Sequence, residues 1–306
     1  MFTRREILKI TGMSCAGVLT GAMKVTAFFE NGMTMKTIPS TKEKIPVIGL
    51  GTWQTFDVGI SESERQPLKD VLTIMRSVGG RVIDSSPMYG NSEEVVGDLA
   101  VATGTAEAFF YATKVWTSGR DEGKIQMMES MKKLRRSVID LMQIHNLLDW
   151  KTHLPVLREW KDAGKIRYIG ITHYTTSAYG ELERILKSEP LDFVQFNYSL
   201  GERDAEKSLL QTAHDRGVAV LINRPFAGGS LFQVIKNQAL PEWVAEYGIA
   251  SWSQFFLKYI VSHPAVTCAI AGTSKPNHLK DNMAAGFGKL PDPAFRKKMS
   301  AYFDAL

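Results

Sequence analysis

The 306-residue sequence has only two cysteines, no apolar run long enough to cross a bilayer, and little excess of either charge. Each shortage excludes something. With Cys15 close to the start, Cys268 stands alone in the rest of the chain, so no internal disulfide framework is available there. Its setting, AVTCAIAG, is that of a small buried hydrophobe. The uncharged stretch 10–23 is Gly-rich and fourteen residues long, short of the roughly 20 that a spanning helix needs. The net charge of +5 is concentrated at the beginning, where Arg4, Arg5, Lys9 and Lys24 face only Glu6. Beyond residue 27 the signs nearly balance, which leaves no basic body for a nucleic-acid partner. No early Gly-x-Gly-x-x-Gly turn opens a helix, which weakens an open dinucleotide-binding sheet. A metal centre is not expected: His145 and His153 are not one helical turn apart, and no compact His-Asp-Glu set occurs.

What is present is the composition of a folded protein, 44% hydrophobic and 23% charged. The start, TRREILK followed by ITGMSCAGVLTGAM, has the basic and then apolar layout of an export signal. Its arginine pair resembles the twin-arginine export signal of bacteria, a label read by the export machinery. An amphipathic helix is the other reading, and Gly12, Gly17 and Gly21 argue against it. The resemblance implies an export signal over residues 1–27, with a small cleavage residue at Ala27, and a periplasmic or otherwise exported protein. The alternative is a cytoplasmic protein that retains the segment. Residues 28–44 read as a lead-in.

From residue 45 onward, short apolar runs alternate with longer amphipathic ones. The strand candidates are 46–52, 81–86, 109–116, 141–147, 168–174, 193–199, 218–224 and 267–273, rich in Val, Ile, Phe and Tyr. Helical spacing marks 63–80 and 123–136 between them, and 92–100 follows a possible cap at Asn91 or Ser92. Residues 227–250 read as a long loop or an additional helix. Eight strand-helix units without a Pro- or Ser-rich linker predict one domain over 45–306. The expected architecture is a (β/α)8 TIM barrel, an eight-stranded parallel sheet inside a ring of helices.

In such a barrel the active site lies at the carboxyl ends of the strands. There the sequence places Asp84 (in RVIDSS), Tyr89 (in PMYG just after it), Lys114 (in YATKVW) and His145 (in LMQIHNL). Singly, Asp84 could cap a turn, Tyr89 could pack, and His145 could be a satisfied core histidine. Lys114 is harder to dismiss, because a lysine in an apolar strand is rarely buried without a partner. Together they make coherent chemistry. A phenol with an ordinary pKa near 10 needs help to exchange protons at neutral pH. A lysine cation favours the phenolate, a carboxylate holds the lysine, and a histidine orients a carbonyl oxygen. None of the four supplies hydride, so a nicotinamide cofactor is expected.

Asp84, Tyr89, Lys114 and His145 match, in order and spacing, the catalytic tetrad of the aldo-keto reductase family, which this sequence resembles over roughly residues 45–285. IPVIGLGTW, SMKKLRRSVIDLMQIHN, GKIRYIGIT, VQFNY and AGTSKPNHLKDN carry the resemblance along the chain. It implies reduction of an aldehyde or ketone by NADPH or NADH. It also implies cofactor contacts at Gly51, Thr52, Asp84, Thr172, Gln195 and Asn282, with Gln195 on the nicotinamide carboxamide. His173 stands where relatives have Asn, and Asn223-Arg224 where many have an aromatic residue. Arg224 could equally pair with an acid at the mouth. Gly272 and His278 replace basic residues of NADPH-preferring relatives, while Thr273, Ser274 and Lys275 can still receive a 2′-phosphate. NADPH is accordingly favoured over NADH. Trp53 and Trp116 could line an apolar pocket for a small carbonyl substrate. Two other classes remain: a Schiff base at Lys114, which leaves Tyr89 idle, and a nucleotide-binding, redox-sensing or partner-binding barrel with little turnover.

Overall fold

The computed structural model describes residues 32–306; residues 1–27, read from sequence as an export signal, lie outside them. The described chain opens with an antiparallel hairpin, β1 (Met35–Thr37) and β2 (Lys44–Pro46). Eight parallel strands then follow: β3 (Ile48–Gly51), β4 (Val82–Asp84), β5 (Phe110–Val115), β6 (Ile139–His145), β7 (Ile166–Thr172), β8 (Phe193–Asn197), β9 (Ala219–Asn223) and β10 (Cys268–Gly272). They pair in chain order, and β10 pairs back onto β3 to close a (β/α)8 barrel. All eight runs read from sequence are barrel strands, with ends displaced by at most two residues. β6 and β7 start earlier than expected because Asp140 and Arg167, charged residues inside the ladder, neutralise each other at 2.5 Å.

The surrounding helices are α1 (Glu62–Ser77), α2 (Ser92–Ala102), α3 (Arg120–Lys133), α4 (Trp150–Asp162), α5 (Tyr179–Ser188), α6 (Leu209–Asp215), α7 (Ser230–Val234), α8 (Trp252–Val261), α9 (Pro276–Ala284) and α10 (Pro293–Asp304). Their stripes dock on the barrel. In α1, Leu68, Val71, Leu72 and Met75 recur at three and four residues and are all buried. α2 meets α3 closely at Gly97, where a Cβ would lie 2.1 Å from the Lys133 carbonyl oxygen. The expected side-chain cap of α2 is not made. Asn91 instead gives its backbone N–H to Asp57 Oδ1 (2.9 Å), and Ser92 Oγ turns to the Thr52 carbonyl (3.3 Å). Residues 227–250 hold 3₁₀ turns at Ala227–Gly229 and Glu242–Tyr247 around the short α7. Among the described residues no helix is long and apolar enough to cross a membrane.

Strand alternation sorts side chains between the two sides of the barrel wall. In β6, Met142 and Ile144 join the core beneath the helices, whereas Leu141 belongs to a separate cluster that fills the barrel interior. That inner cluster includes Val82, Phe110, Tyr168, Phe193, Leu221 and Cys268, with Phe110 stacked on Tyr168 at 5.9 Å. Ile38 and Ile45 of the hairpin complete it from below. Lys36 fastens the hairpin by donating to the carbonyls of Val261, His263 and Val266 at 2.5–2.8 Å.

Candidate active site

Above the apolar interior, the same two-residue period brings polar side chains inward. Lys114 follows Phe110 and Ala112; Gln143 and His145 follow Leu141; Thr172 follows Tyr168 and Gly170; Gln195 follows Phe193. Register sets them side by side: Lys114 is opposite Gln143, and His145 and Gln195 both stand opposite Thr172. The structure thus brings Asp84, Tyr89, Lys114 and His145 together at one end of the barrel.

Lys114 is fully buried, and its Nζ donates to Asp84 Oδ2 and to the Ser85 carbonyl, each at 2.7 Å. Burial disfavours the ammonium, but Asp84 and Tyr89 outweigh it and hold the pKa of Lys114 above its ordinary value. The same Nζ lies 5.0 Å from the centre of the Tyr89 ring. Burial pushes the Tyr89 phenol up, and the Lys114 cation, although it pulls the other way, does not reverse the shift. The phenol therefore keeps its proton at neutral pH. That is the form a proton donor needs.

His145 meets the Tyr89 ring edge-on at 5.7 Å. Burial first, then the charges of Lys114 and His173, lower its pKa to about 2, so the ring is neutral. Ser86, which the sequence reading passed over, is the hydrogen-bond partner of His145 Nδ1. Its Oγ receives the Met88 N–H (3.2 Å) and lies 2.9 Å from His145 Nδ1. The arrangement that uses its hydroxyl proton gives that proton to Nδ1 and leaves Nε2–H free to donate. Ser86 also organises the turn carrying Tyr89, whose N–H bonds to the Ser86 carbonyl at 3.0 Å.

The sequence reading also passed over Gln143, which is wholly buried. Its inward parity with His145 was the signal that marked it. The amides of Gln143 and Gln195 both donate to Asp84 Oδ1, at 3.1 and 2.9 Å. On its other side, Gln195 Oε1 accepts from Thr172 Oγ1 (3.2 Å) and Asn223 Nδ2 (3.4 Å). The structure therefore places Gln195 within this buried network. Thr52 joins it at the edge, donating to the Asp84 carbonyl and close to Ser85 Oγ.

Several features of the mouth fit a ligand carrying both an amide and anionic groups. Asn223 Oδ1 and Arg224 Nε are buried without a hydrogen-bond partner. The Arg224 guanidinium lies 5.9 Å over the Tyr174 ring, which stacks on His173. No acid pairs with Arg224 among the described residues. At Gly51 a Cβ would come within 2.9 Å of Ile270, while neighbouring Gly272 is exposed. Lys275 and His278 are exposed at the start of α9, Thr273 is buried beside them, and Asn282 is buried on that helix. Ser274 and Lys275 border a cleft of about 480 Å³ shared with Thr55 and Leu68, and this cleft includes no tetrad residue. Trp53 and Trp116 are 49% and 40% exposed, with Trp116 6.3 Å from His145.

Comparison with known proteins bears on the family and the fold. Residues 47–298 match the model of the aldo/keto reductase family. The chain is 28% identical over 214 residues to the aldo-keto reductase YhdN of Bacillus subtilis (strain 168), covering 65% of this chain and 64% of that protein. It is 26% identical over 309 residues to an NADH-specific methylglyoxal reductase of Escherichia coli (strain K12), covering 82% and 93%. The fold matches an aldo-keto reductase from Klebsiella pneumoniae in complex with NADPH at a TM-score of 0.71 and 23% identity, covering 89% and 96%. The chain belongs to the aldo/keto reductase family.

Proposed function

We propose that the protein reduces a small aldehyde or ketone to its alcohol with a reduced nicotinamide cofactor. One observation carries the proposal: a buried Asp84–Lys114 pair lies beneath a protonated Tyr89, with a neutral His145 at its edge. Reduced nicotinamide, when bound, supplies the hydride. The protein supplies the rest. His145 Nε2–H orients the carbonyl oxygen by donating to it, and the Tyr89 hydroxyl gives that oxygen a proton. Lys114 stabilises the phenolate left behind, and Asp84 keeps Lys114 in place. Asn223, Arg224, Thr172, His173, Ser274 and Lys275 are the groups that would hold the cofactor. The Lys275 cation and the hydroxyls of Thr273 and Ser274 support NADPH over NADH, although one relative is named NADH-specific. Methylglyoxal, named for the same relative, is a first substrate to try.

Quenching of tryptophan fluorescence on titration with NADPH and then NADH measures binding without a guess at the substrate. Tyr89→Phe is expected to keep that binding and to lose about 100-fold or more of carbonyl reduction. Equal reduction rates in the two proteins would remove Tyr89 as the acid.

The proposal extends to location, with residues 1–27 acting as an export address. In a bacterium with twin-arginine export, the protein is expected outside the cytoplasm, and replacing Arg4 and Arg5 with lysine should retain it inside. Equal distribution of both forms would exclude that address.

A further inference from the structure

We infer that Gln143 is a positioning residue of this site: together with Gln195 it clamps one oxygen of Asp84, which commits the other oxygen to Lys114. The inference rests on the proposed role of the tetrad and deepens it.

A carboxylate bonded through one oxygen can swing about its last torsion. Asp84 cannot do so without losing several bonds at once. Oδ2 takes Lys114 Nζ at 2.7 Å, while Oδ1 takes Gln143 Nε2 at 3.1 Å and Gln195 Nε2 at 2.9 Å. Gln195 Nε2 also lies 3.3 Å from Gln143 Oε1, so the two amides hold each other as well as the acid. Both glutamines are essentially inaccessible to solvent. Water therefore cannot replace a missing donor, and a carboxylate oxygen left short of one bears the full desolvation penalty.

The neighbouring strand makes room for this arrangement. Gly170 on β7 stands opposite Gln143, and a Cβ there would come within 3.0 Å of Gln143 Cγ. Around the Asp84–Lys114 pair the charged and titratable groups are Tyr89 from the loop after β4, Glu93 from α2, His145 from β6 and Cys268 from β10. β3 and β8 bring only the neutral Thr52 and Gln195. Lys114 is the sole cation in this set, so the aim of Asp84 fixes where the positive charge sits relative to the Tyr89 hydroxyl.

The test uses the full-length protein, NADPH and methylglyoxal, with Gln143→Leu and Gln143→Glu. Gln143→Leu is expected to lower kcat about 10- to 100-fold, the range for losing one hydrogen bond to a charged group. KM and NADPH affinity by tryptophan quenching should stay near wild type. Gln143→Glu carries the distinguishing signature. Protonated, the new carboxyl donates to Asp84 as the amide does; ionised, it faces Asp84 as a like charge. Its kcat should recover toward acid pH and fall as pH rises, on a limb at lower pH than the one that loss of the Tyr89 proton gives wild type. Wild-type kcat in Gln143→Leu, or a wild-type pH profile in Gln143→Glu, would overturn the assignment.

A second arm needs no turnover. In protein labelled with ¹⁵N at glutamine side chains, the Gln143 amide signal is the one that vanishes in both substitutions. It should move when Asp84→Asn removes the charge it donates to, and a stationary signal would overturn the clamp. If Gln143→Leu does not fold, the Gln143→Glu profile and this shift decide. If wild type reduces no carbonyl, the tetrad reading fails while the amide shift still reports on the clamp.

Discussion

At His145 the site shows how strongly burial outweighs ordinary titration. An exposed histidine ionises near pH 6.5, but here desolvation, helped by Lys114 and His173, brings the pKa to about 2. His263, half-buried elsewhere, is lowered to about 4, with desolvation first and Arg296 second among the causes. Between those values and 6.5 the unfolded chain binds protons that the folded chain refuses. Stability from these rings is therefore fully present above pH 6.5 and is lost as pH falls toward the folded values. Thermal melting followed against pH should show this acid slope, and His145→Gln should flatten it; identical slopes would contradict a neutral buried His145. The four tetrad residues were legible in the sequence because each lies at or just beyond a strand end. Gln143 and Ser86 were not singled out, since glutamine and serine have many uses and only the inward parity or the turn geometry gives them one. Gln195 was legible as a site residue, but its partners depend on which side chains register brings beside it, and strand pairing is a property of the closed barrel.

The same contrast holds for whole elements. Runs such as FFYATKVW and VAVLINR declare themselves as strands by their length and branched or aromatic content. The hairpin strands β1 and β2 are three residues each, too short for any alternation to register, and a lysine sits in both. What makes the hairpin part of the fold is long-range: Ile38 and Ile45 enter the barrel interior, and Lys36 reaches the C-terminal end of α8 and the residues after it. Burial lowers the Lys36 pKa to about 8, while three carbonyls receive its protons. Lys36→Met would leave those carbonyls without their donor, at a cost of roughly 1–3 kcal/mol. The melting temperature should drop while kcat is unchanged; an unaltered melting temperature would show that the hairpin is held by its apolar contacts alone.

Over the molecule as a whole, period-two alternation along eight strands produces a layered interior: apolar side chains below, a band of amides, carboxylate, ammonium and imidazole above. The apolar runs and the tetrad at the strand ends were legible in the sequence, whereas the amides that join the tetrad into a band emerged only when the strands closed and each strand end met its neighbours. The layering has a consequence for traffic. Among the described residues, Phe110, Tyr168, Phe193 and the hairpin's two isoleucines fill the barrel below the polar band. A molecule that reaches Tyr89 and His145 therefore does so from the carboxyl ends of the strands, and the apolar plug serves as the floor on which it comes to rest.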